Sequence, residues 1–397
     1  MTGHRFPFSA ILGHPSSSCM FSRTVKGNQE ISCVPSMAFP DKTSIPPTIA
    51  AALSATLPGG LATSAKTTIA ILIPHFGEAE LLYRCLDSIE FQTRRPDEVL
   101  IYNNTGCRLT LPGKDWSFSI SITESSHNQG FARAVNALAN LAQSDLLLLL
   151  NNDAALDPNC LAAIENGAST FPDYCSFALV VFTSSRQRRI QSIGLMYTAF
   201  GFGNRSNSIS ADVLDLPGDV FCPCGAAAVY RRTEFLHMGG MNPRFFFGYE
   251  DLELGLRFRL AGLCFRLLPE ATVTHLLSAN IHQYPSLKVR EAVKNSLWTL
   301  LARHPFKLFG RNCVTTCRFY LTWWFRLARC GYVTPVAIAI LTVVVQLPSI
   351  CVSRGLFWLR FSRRAQAVLG PLYDGRVEVY TPHGHTLIEV NQPKALS

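Results

Sequence analysis

A run of five consecutive leucines, Leu146 to Leu150, is the feature that most constrains how this chain folds. It is too short for a helix of ordinary length, and the polar residues Asn151, Asn152 and Asp153 end it abruptly. An apolar run of this kind is typical of a strand buried on both faces, as in a parallel sheet. Polar side chains at the carboxyl end of such a strand emerge where open α/β folds bind ligands. A carboxylate there is suited to a metal ion, although an ordinary polar turn has the same composition.

The composition bounds the class of protein. With 397 residues the chain has room for one large domain with additions or for two domains, and disorder throughout is excluded. Hydrophobic residues make up 48% and charged residues 16%, against roughly 25% charged in ordinary soluble domains, which favours contact with a membrane. The 13 cysteines are odd in number and irregularly spaced, and no segment resembles a secretory signal peptide. We therefore expect free thiols and a catalytic part in the cytosol.

Positive charge is concentrated in one block near the C-terminus. Between Pro285 and Arg364 the only acid is Glu291, and thirteen Lys and Arg residues surround it, whereas the whole chain carries +9. Such a block suits anionic lipid or phosphate-bearing ligands, with nucleic acid as the alternative. Because the basic residues are interleaved with Leu, Phe and Trp in amphipathic helices, the pattern favours a membrane surface, and we expect no nucleic-acid partner.

The block also contains an uncharged segment of 22 residues, Tyr332 to Ser353. This is long enough to span a bilayer. Pro335 and Pro348 weaken that interpretation, so a membrane-lying or re-entrant pair of segments and a buried helix of a soluble protein remain open. Basic residues on both sides of the segment leave its orientation undetermined.

The remaining chain alternates between strand-like and helix-like patterns. The predicted strands are 68–74, 98–102, 119–123, 146–150, 177–182, 219–231, and 271–274, and the predicted helices are 78–92, 131–143, 159–168 and 250–261. This order is typical of an α/β fold with a doubly wound, mostly parallel, Rossmann-like sheet. Residues 187–215 are rich in Gly and Asn and are interpreted as loop, and 377–390 alternates about a Pro-His-Gly turn and is interpreted as a hairpin.

Four further features accompany the Asp153 cluster. The Asn128-Gln129-Gly130 turn that opens a helix either presents free backbone amides to an anion or is a plain N-cap. The second acidic pair, Glu250 and Asp251, lies in a first helical turn, where the helix dipole favours ionised carboxylates. The aromatic run 245–249 before this pair would line an acidic site with aromatic side chains. Small residues around Gly225 would let a ligand approach the backbone.

Six segments together resemble family 2 glycosyltransferases of the GT-A fold, most closely the bacterial rhamnosyltransferase type. The segments are ILIPHFGEAELLYRCLDSI, NQGFARAVN, LLLNND, GAAAVYRR, FFFGYEDLELGLRFRLAGL and, after it, His275. Each is weak by itself, but they occur in the family's order between about Thr68 and Asn280.

The resemblance implies a role for each matched residue. Asp153 matches the metal-binding carboxylate of the family's DxD-like motif, and His275 matches a histidine that approaches the metal or the diphosphate. The implied cofactor is Mg²⁺ or Mn²⁺. Asp251 matches the catalytic base. The residues expected to bind the nucleotide sugar are Pro74, Phe76, Glu78, Asn103, Asn128, Gly130, Asn151, Asn152, Gly225 and Glu250.

Two of these positions depart from the family's pattern. Asn103 stands where many relatives have an aspartate that faces the base or ribose, and Asn151 stands where stricter motifs have a first acid. The implied activity is transfer, with inversion, of a sugar from a nucleotide-diphosphate donor to a hydroxyl of a lipid-linked or cell-surface glycan, on the cytoplasmic face of a membrane. A catalytically silent nucleotide-sugar-binding protein and a nucleotide-binding oxidoreductase are the alternatives.

We expect four regions along the chain. Residues 1–65 form a disordered arm, 66–284 the GT-A glycosyltransferase domain, 285–370 a basic, membrane-associating helical region, and 371–397 a hairpin and tail.

Overall fold

The computed structural model describes residues 66–183, 189–205, 218–275 and 284–361, together with the backbone of 377–381 and 384–388. The strands of these residues are β1 (Ile69–His75), β2 (Glu98–Asn103), β3 (Ile120–Glu124), β4 (Leu146–Leu150), β5 (Ala154–Leu156), β6 (Ser176–Thr183), β7 (Ile190–Ser192), β8 (Leu195–Tyr197), β9 (Gly203–Arg205), β10 (Asp219–Val220), β11 (Ala227–Arg231), β12 (Phe265–His275), β13 (Val377–Thr381) and β14 (Gly384–Ile388). The helices are α1 (Ala79–Glu90), α2 (Phe131–Leu141), α3 (Cys160–Thr170), α4 (Arg232–His237), α5 (Glu250–Leu260), α6 (Pro285–Arg303), α7 (Phe306–Arg329) and α8 (Val333–Phe361).

A ten-stranded sheet forms the centre of the fold, in the order β10-β12-β6-β11-β4-β1-β2-β3, with β5 added to β12 and β7 added to β6. The half made of β4, β1, β2 and β3 is parallel, and α1 and α2 provide its crossovers. β11 runs antiparallel between β4 and β6, and β6 pairs in parallel with β12. The predicted α/β class with a mostly parallel, doubly wound sheet is confirmed.

The five-leucine run is the strand β4, with the predicted bounds and all five side chains buried. Leu147 and Leu149 pack into one core with α2 and α5, whereas Leu146, Leu148 and Leu150 pack into a second core with α1 and α3. The alternation of strand side chains therefore sends each leucine into one of two apolar layers. Because both faces are covered, the strand needs no polar residue until it leaves the sheet at its carboxyl end.

The prediction of one continuous strand over 219–231 is wrong. The structure has a two-residue strand, β10, at the edge of the sheet beside β12, and a separate strand, β11, in the centre between β4 and β6. Pro223 lies between them and has no amide hydrogen for a ladder, which interrupts pairing there. Cys222 and Cys224 are buried, and burial raises the pKa of Cys222 well above its usual value, as expected of an apolar packing residue.

The interpretation of 187–215 as loop is partly wrong, because 189–205 contains the short strands β7, β8 and β9. β7 extends the main sheet, and β8 and β9 form a separate two-stranded ribbon. Strands of three residues give no periodic signal in a sequence, since alternation needs about four residues to be recognised. Residues 184–188 and 206–217 lie outside the described part of the chain.

Three helices follow the sheet. α8 extends over 29 residues, beyond the uncharged segment on its C-terminal side, and it continues through Pro348. Its length and the mean hydropathy of 2.3 in its most apolar 18-residue window would allow it to cross a membrane, and it is the one such helix among the described residues. Only 22% of its most apolar window is buried, which disfavours the core helix of a soluble protein. β13 and β14 form the predicted antiparallel hairpin, whereas the predicted arm 1–65 lies outside the described residues.

Candidate active site

Polar residues collect at one edge of the sheet because β1, β2 and β4 are parallel and end there. β4 is followed by Asn151, Asn152 and Asp153, while β1 ends at His75 and β2 ends at Asn103. The carboxyl edge predicted from the leucine run is therefore the place where these side chains meet.

Asp153 and His275 meet at this edge although 122 residues separate them in the chain. Oδ1 of Asp153 lies 3.0 Å from Nε2 of His275, and both side chains are buried. The pairing of β5 with β12 brings them together, because Ala154 lies opposite His275 in that antiparallel ladder. Nδ2 of Asn151 lies 3.3 Å from the same imidazole nitrogen.

Gln191 supports the histidine from its other side, a contact that no pattern in the sequence predicts. Oε1 of Gln191, on β7, lies 3.1 Å from Nδ1 of His275, and the glutamine is itself buried. A proton on Nδ1 that is donated to this oxygen leaves the Nε2 lone pair facing the Asp153 oxygen. A cation between the Asp153 oxygen and the Nε2 nitrogen would stabilise two electron pairs that face each other in this way. Imidazole ligands of metals are commonly oriented by a hydrogen bond from their other ring nitrogen, as Gln191 provides here.

The donor atoms at this position fit a divalent metal ion. Carboxylate oxygen and imidazole nitrogen are ligands for Mn²⁺, and Mg²⁺ is commonly held by one or two carboxylates together with substrate phosphates. Oδ1 of Asn151 is buried and has no hydrogen-bond partner among the described residues, which leaves a further oxygen beside the pair. No group of three His, Cys, Asp or Glu residues suited to a metal occurs in the described part of the chain, so a metal there depends on oxygens from elsewhere.

Asp251 lies in the first turn of α5 with both carboxylate oxygens hydrogen-bonded to backbone. The amide of Gly225 donates to Oδ2 at 2.8 Å, and the amide of Leu252 donates to Oδ1 at 2.8 Å. A Cβ atom on Gly225 would lie 3.2 Å from Oδ2, so the absence of a side chain is what allows this close contact. Asp251 itself is partly exposed, and the neighbouring Glu250 is buried.

A short backbone connection links the two acidic positions. The amide of Asn151 donates to the carbonyl of Ala226 at 3.0 Å, and Ala226 follows Gly225 directly. The antiparallel pairing of β11 with β4 produces this contact, since Ala227 lies opposite Leu150. The loop with Asp153 and the loop that binds Asp251 are therefore adjacent segments of one edge.

The Asn128-Gln129-Gly130 turn does not present free amides in this structure. The amide of Gly130 donates to Oδ1 of Asn128, and the amide of Gln129 donates to Oδ1 of Asn104. The next amide, that of Phe131, donates to the carbonyl of Phe246 at 2.6 Å. The free amides predicted for this turn are thus absent, because all three amides have partners within the protein. Instead the turn docks on the aromatic run before Asp251.

Gly130 makes this docking possible. Its φ of +90° is accessible to glycine at little cost, and a Cβ atom there would lie 2.7 Å from the Phe246 carbonyl oxygen. The segments NQGFARAVN and FFFGYED, which carry the family resemblance, are therefore in direct contact through this glycine.

The residues matched to the nucleotide pocket divide into buried and exposed positions. Pro74 is buried near the end of β1, Phe76 is half-buried, and Glu78 is exposed just before α1. The side-chain amide of Asn152 donates to Nδ1 of His75 at 2.9 Å and to the carbonyl of Phe76 at 3.2 Å. Burial lowers the pKa of His75 to about 4, with Glu124 opposing the shift, so the ring is neutral and accepts this hydrogen bond.

Asn103 does not face an open surface in this conformation. It is fully buried, its side-chain amide donates to the Cys107 carbonyl and to the Glu124 carboxylate, and its Oδ1 accepts from the Thr105 amide and hydroxyl. The asparagine therefore orders the loop after β2, and any effect on a nucleotide would be exerted through that loop.

The aromatic run before α5 only partly forms a wall. Phe245 is buried and packs edge-on against Trp298 of α6, whereas Phe246 and Phe247 are half-buried. Tyr249 has a φ of 72° and is the one non-glycine residue with positive φ among the described residues. Such a backbone persists only where its surroundings hold it.

Asn295, on α6, stabilises this backbone conformation. Its side-chain amide donates to the carbonyls of Phe247 and Gly248 at 3.1 and 2.7 Å, and the residue is fully buried. The turn that leads into Glu250 and Asp251 is thus fixed by a residue of the C-terminal helices. No sequence motif marked Asn295, and only its place in the fold reveals the contact.

Residues 70–236 match the sequence model of Glycosyl transferase family 2. The predicted resemblance to this family is confirmed over these residues. The curated relatives of this glycosyltransferase include N-acetylglucosaminyl-diphospho-decaprenol L-rhamnosyltransferase of Mycobacterium tuberculosis, which is 25% identical over 249 residues covering 56% of this chain and 80% of that protein. They also include the O-antigen biosynthesis protein RfbC of Myxococcus xanthus, 26% identical over 232 residues covering 53% of this chain and 17% of that protein. The predicted rhamnosyltransferase-like type is confirmed, and the enzyme is a glycosyltransferase.

Solved structures with similarity to this glycosyltransferase include GalNAc-T7 with UDP, GalNAc and Mn²⁺, at a TM-score of 0.49 and 15% identity. That match covers 60% of this chain and 48% of the other, so this chain spans about half of that structure's length. Another is the mannosyltransferase PcManGT from Pyrobaculum calidifontis in complex with GDP-Man and Mn²⁺, at a TM-score of 0.43 and 15% identity, covering 81% and 90% of the two chains.

Proposed function

We propose that this glycosyltransferase moves a hexose or deoxyhexose, with inversion, from a nucleotide-diphosphate sugar to a hydroxyl group of a lipid-linked or cell-surface glycan. The observation that carries the proposal is the adjacency of two acidic positions at one sheet edge. Asp153 with His275 lies on one side of the contact between Asn151 and Ala226, and Asp251 lies on the other. Transfer needs one group that assists departure of the diphosphate and another that activates the acceptor.

The leaving-group side is assigned to Asp153 and His275, which would hold Mg²⁺ or Mn²⁺. When bound, the metal ion offsets the negative charge that gathers on the departing diphosphate. Gln191 would keep the imidazole in the required orientation through its contact with Nδ1. The half-buried Phe76 and exposed Glu78 are the candidates nearest to the start of α1 for contact with the nucleoside.

The acceptor side is assigned to Asp251 as general base. Its carboxylate is held by the amides of Gly225 and Leu252, so its orientation is fixed before an acceptor arrives. In the proposed step an acceptor hydroxyl loses its proton to Asp251 while its oxygen forms a bond to the anomeric carbon, and the bond to the diphosphate oxygen breaks. One in-line displacement of this kind inverts the anomeric centre. General-base assistance is worth roughly 10²- to 10⁴-fold in rate.

The acceptor is proposed to be carried on a lipid diphosphate at the cytoplasmic face of a membrane. The support is twofold. The relative from Mycobacterium tuberculosis is named for an acceptor of this class, N-acetylglucosaminyl-diphospho-decaprenol. The C-terminal block of this chain is basic and apolar, which suits a surface where anionic lipids and their diphosphates are found.

The experiment that tests the proposal replaces the base and leaves the donor site intact. The Asp251→Asn variant should lose transfer at least 10²-fold, as judged by mass spectrometry with a panel of nucleotide sugars, and should bind the donor as the parent does. Asp87→Asn, the same change at a half-buried position on α1 where the carboxylate pairs with Lys114, serves as the control and should transfer normally. Undiminished transfer by Asp251→Asn would remove this residue from the role, and a retained anomeric configuration in the product would exclude the single displacement.

A further inference from the structure

We propose that α7 and α8 form a docking face for one leaflet of an anionic bilayer, and that α8 lies along the protein and does not cross the membrane. This inference rests on the proposed function, since a lipid-linked acceptor requires the enzyme to work at a membrane. It resolves the alternatives that the sequence left open for the uncharged segment.

The first observation is the pattern of burial along α8. Val336, Val343, Ile350 and Phe357 are buried at intervals of seven residues, and they face the protein. The large apolar side chains of the other face are exposed, namely Val333, Ile338, Leu341, Val344, Val345, Leu347, Val352, Leu356 and Leu359. A helix with one protein-facing stripe and a broad exposed apolar face can enter the outer part of a leaflet.

The second observation is that α8 is attached to α6 along most of its length. Near its start, Val336 shares an apolar cluster with Val289 and Val293 of α6. Further along, Val343 and Ile350 share a cluster with Trp298 of α6. The two helices therefore lie side by side over about four turns, or roughly 25 Å.

Hydrogen bonds fix the far end of this contact. Arg303 of α6 donates to the backbone and side-chain oxygens of Ser353 at 3.2 and 3.0 Å. Arg354 of α8 donates to the carbonyls of Leu301 and His304 at 2.8 and 2.9 Å.

This attachment excludes a simple span. α6 carries the buried ion pair of Arg303 with Glu253 of α5, and it holds the turn before Asp251 through Asn295. If lipid surrounded α8 on all sides, α6 and these polar contacts would have to leave the protein or enter the hydrocarbon, where ionised groups are strongly disfavoured. Contact along one face demands neither change.

The third observation concerns charge on the neighbouring helix. An exposed stripe on α7 repeats at intervals of three or four residues and mixes basic and apolar side chains, namely Lys307, Arg311, Val314, Arg318, Leu321, Phe325 and Arg329. Basic residues among exposed apolar ones are typical of helices that lie on anionic membranes. Phe306, at the start of this helix, is exposed and lies under the Arg354 guanidinium of α8 at 3.7 Å.

The charge pattern also indicates which partner binds to the docking face of α7 and α8. Glu291 is the sole acidic residue between Pro285 and Phe361, and it is buried and paired with Arg290 and Lys294. The exposed surface of these three helices thus offers cations and apolar groups without a carboxylate. A second copy docked on the same face would oppose like charges, whereas an anionic leaflet is complementary.

The test uses the full chain and vesicles of phosphatidylcholine, either alone or mixed with phosphatidylglycerol. The parent protein should float with the mixed vesicles, and alkaline carbonate should release it. Leu341→Glu, on the exposed face of α8, should weaken flotation strongly. Leu141→Glu is the matched control, because Leu141 is similarly exposed, 54% against 63%, but lies at the end of α2. Arg318→Gln on α7 should weaken binding to the mixed vesicles about fivefold.

Each contrary result overturns the docking face. Resistance to carbonate would mean that α8 spans the bilayer, and equal flotation of Leu341→Glu and Leu141→Glu would place the membrane contact elsewhere. A dimer in detergent-free solution that Leu341→Glu dissociates would assign the face to a second copy.

Sugar transfer to a water-soluble acceptor analogue separates this test from the proposed function, because Leu341→Glu should keep that activity. If the parent protein floats yet transfers no sugar, the proposed function fails and the docking face stands.

Discussion

Arg303 of α6 donates a hydrogen bond at 2.8 Å to the carboxylate of Glu253, which is fully buried in the first turns of α5. Arg257, one turn further along α5, holds the same carboxylate at 2.9 Å. Burial by itself raises the pKa of Glu253, and the two guanidinium groups more than offset this effect, so the pKa lies below its usual value. The start of the helix that carries Asp251 is thereby tied to the C-terminal helices.

Loss of this ion pair is expected to destabilise the protein strongly. Arg303→Met leaves a buried carboxylate with one guanidinium fewer, and breaking a buried pair costs about 3–5 kcal/mol. The free energy of unfolding from urea titrations measures the effect. Arg84→Met removes one partner of the exposed pair with Glu80 and is the control, with an expected loss under about 0.5 kcal/mol. Equal losses for the two variants would show that the Arg303 contact contributes no more than a surface pair.

Asn295 is expected to act on catalysis as a positioning residue. Asn295→Leu keeps the volume but removes both hydrogen bonds to the turn at Phe247 and Gly248, and a displacement of about 1 Å near the reacting groups can cost 10²-fold in rate. We expect kcat to fall by about 10- to 100-fold while KM for the donor changes little. Asn312→Leu, which removes a hydrogen bond within α7, should leave both constants unchanged. A rise in KM with unchanged kcat would contradict the positioning role.

The metal-binding assignment predicts that variants of the residues in contact with His275 lose affinity for Mn²⁺ to different degrees. Asp153→Ala should abolish Mn²⁺-dependent binding of nucleoside diphosphates, measured by calorimetry with and without Mn²⁺. Gln191→Leu removes the outer hydrogen bond and should weaken Mn²⁺ binding about 10- to 100-fold, whereas Gln191→Glu keeps an acceptor for Nδ1 and should bind nearly as the parent does. Gln143→Leu, at an exposed position, is the control. Unchanged Mn²⁺ binding in Asp153→Ala would refute the assignment.

Stability should fall as the pH decreases from about 6.5 to about 4, and His304 should account for part of the loss. Burial lowers the pKa of this histidine to about 4, and the Arg354 cation adds to the shift, while the Tyr197 hydroxyl donates to Nδ1 at 3.1 Å. Between pH 6.5 and 4 the unfolded chain therefore binds more protons than the folded chain, which destabilises the folded state by up to about 3 kcal/mol.

His304→Gln removes the titrating group, so its unfolding free energy should depend less on pH in that interval. Urea titrations of both proteins at several pH values measure the difference, with the values at pH 7 as the reference. Parallel pH profiles for the parent and the variant would exclude His304 as a source of the acid sensitivity.

The order of strands and helices and the identity of the central strand were set by the sequence, because hydrophobic periodicity is a local property that each segment carries by itself. The leucine run predicts β4 without error, and polar residues after it mark the functional edge. The three-residue strands β7 to β9 escaped prediction, and the two-residue strand β10 was not separated from β11, since so few residues carry no period and are stabilised by their neighbours in space. The same reason explains the error over 219–231.

The sequence by itself determined which acids matter as candidates, Asp153 and Asp251, because each follows an element whose pattern can be recognised locally. Only the tertiary structure decided what surrounds them: the Gln191 contact to His275, the hold of Asn295 on the turn before Asp251, and the internal use of the amides in the Asn128 turn. These contacts join residues that are distant in the chain. Their energies depend on distance and burial, which are fixed only when the sheet and the C-terminal helices have packed together.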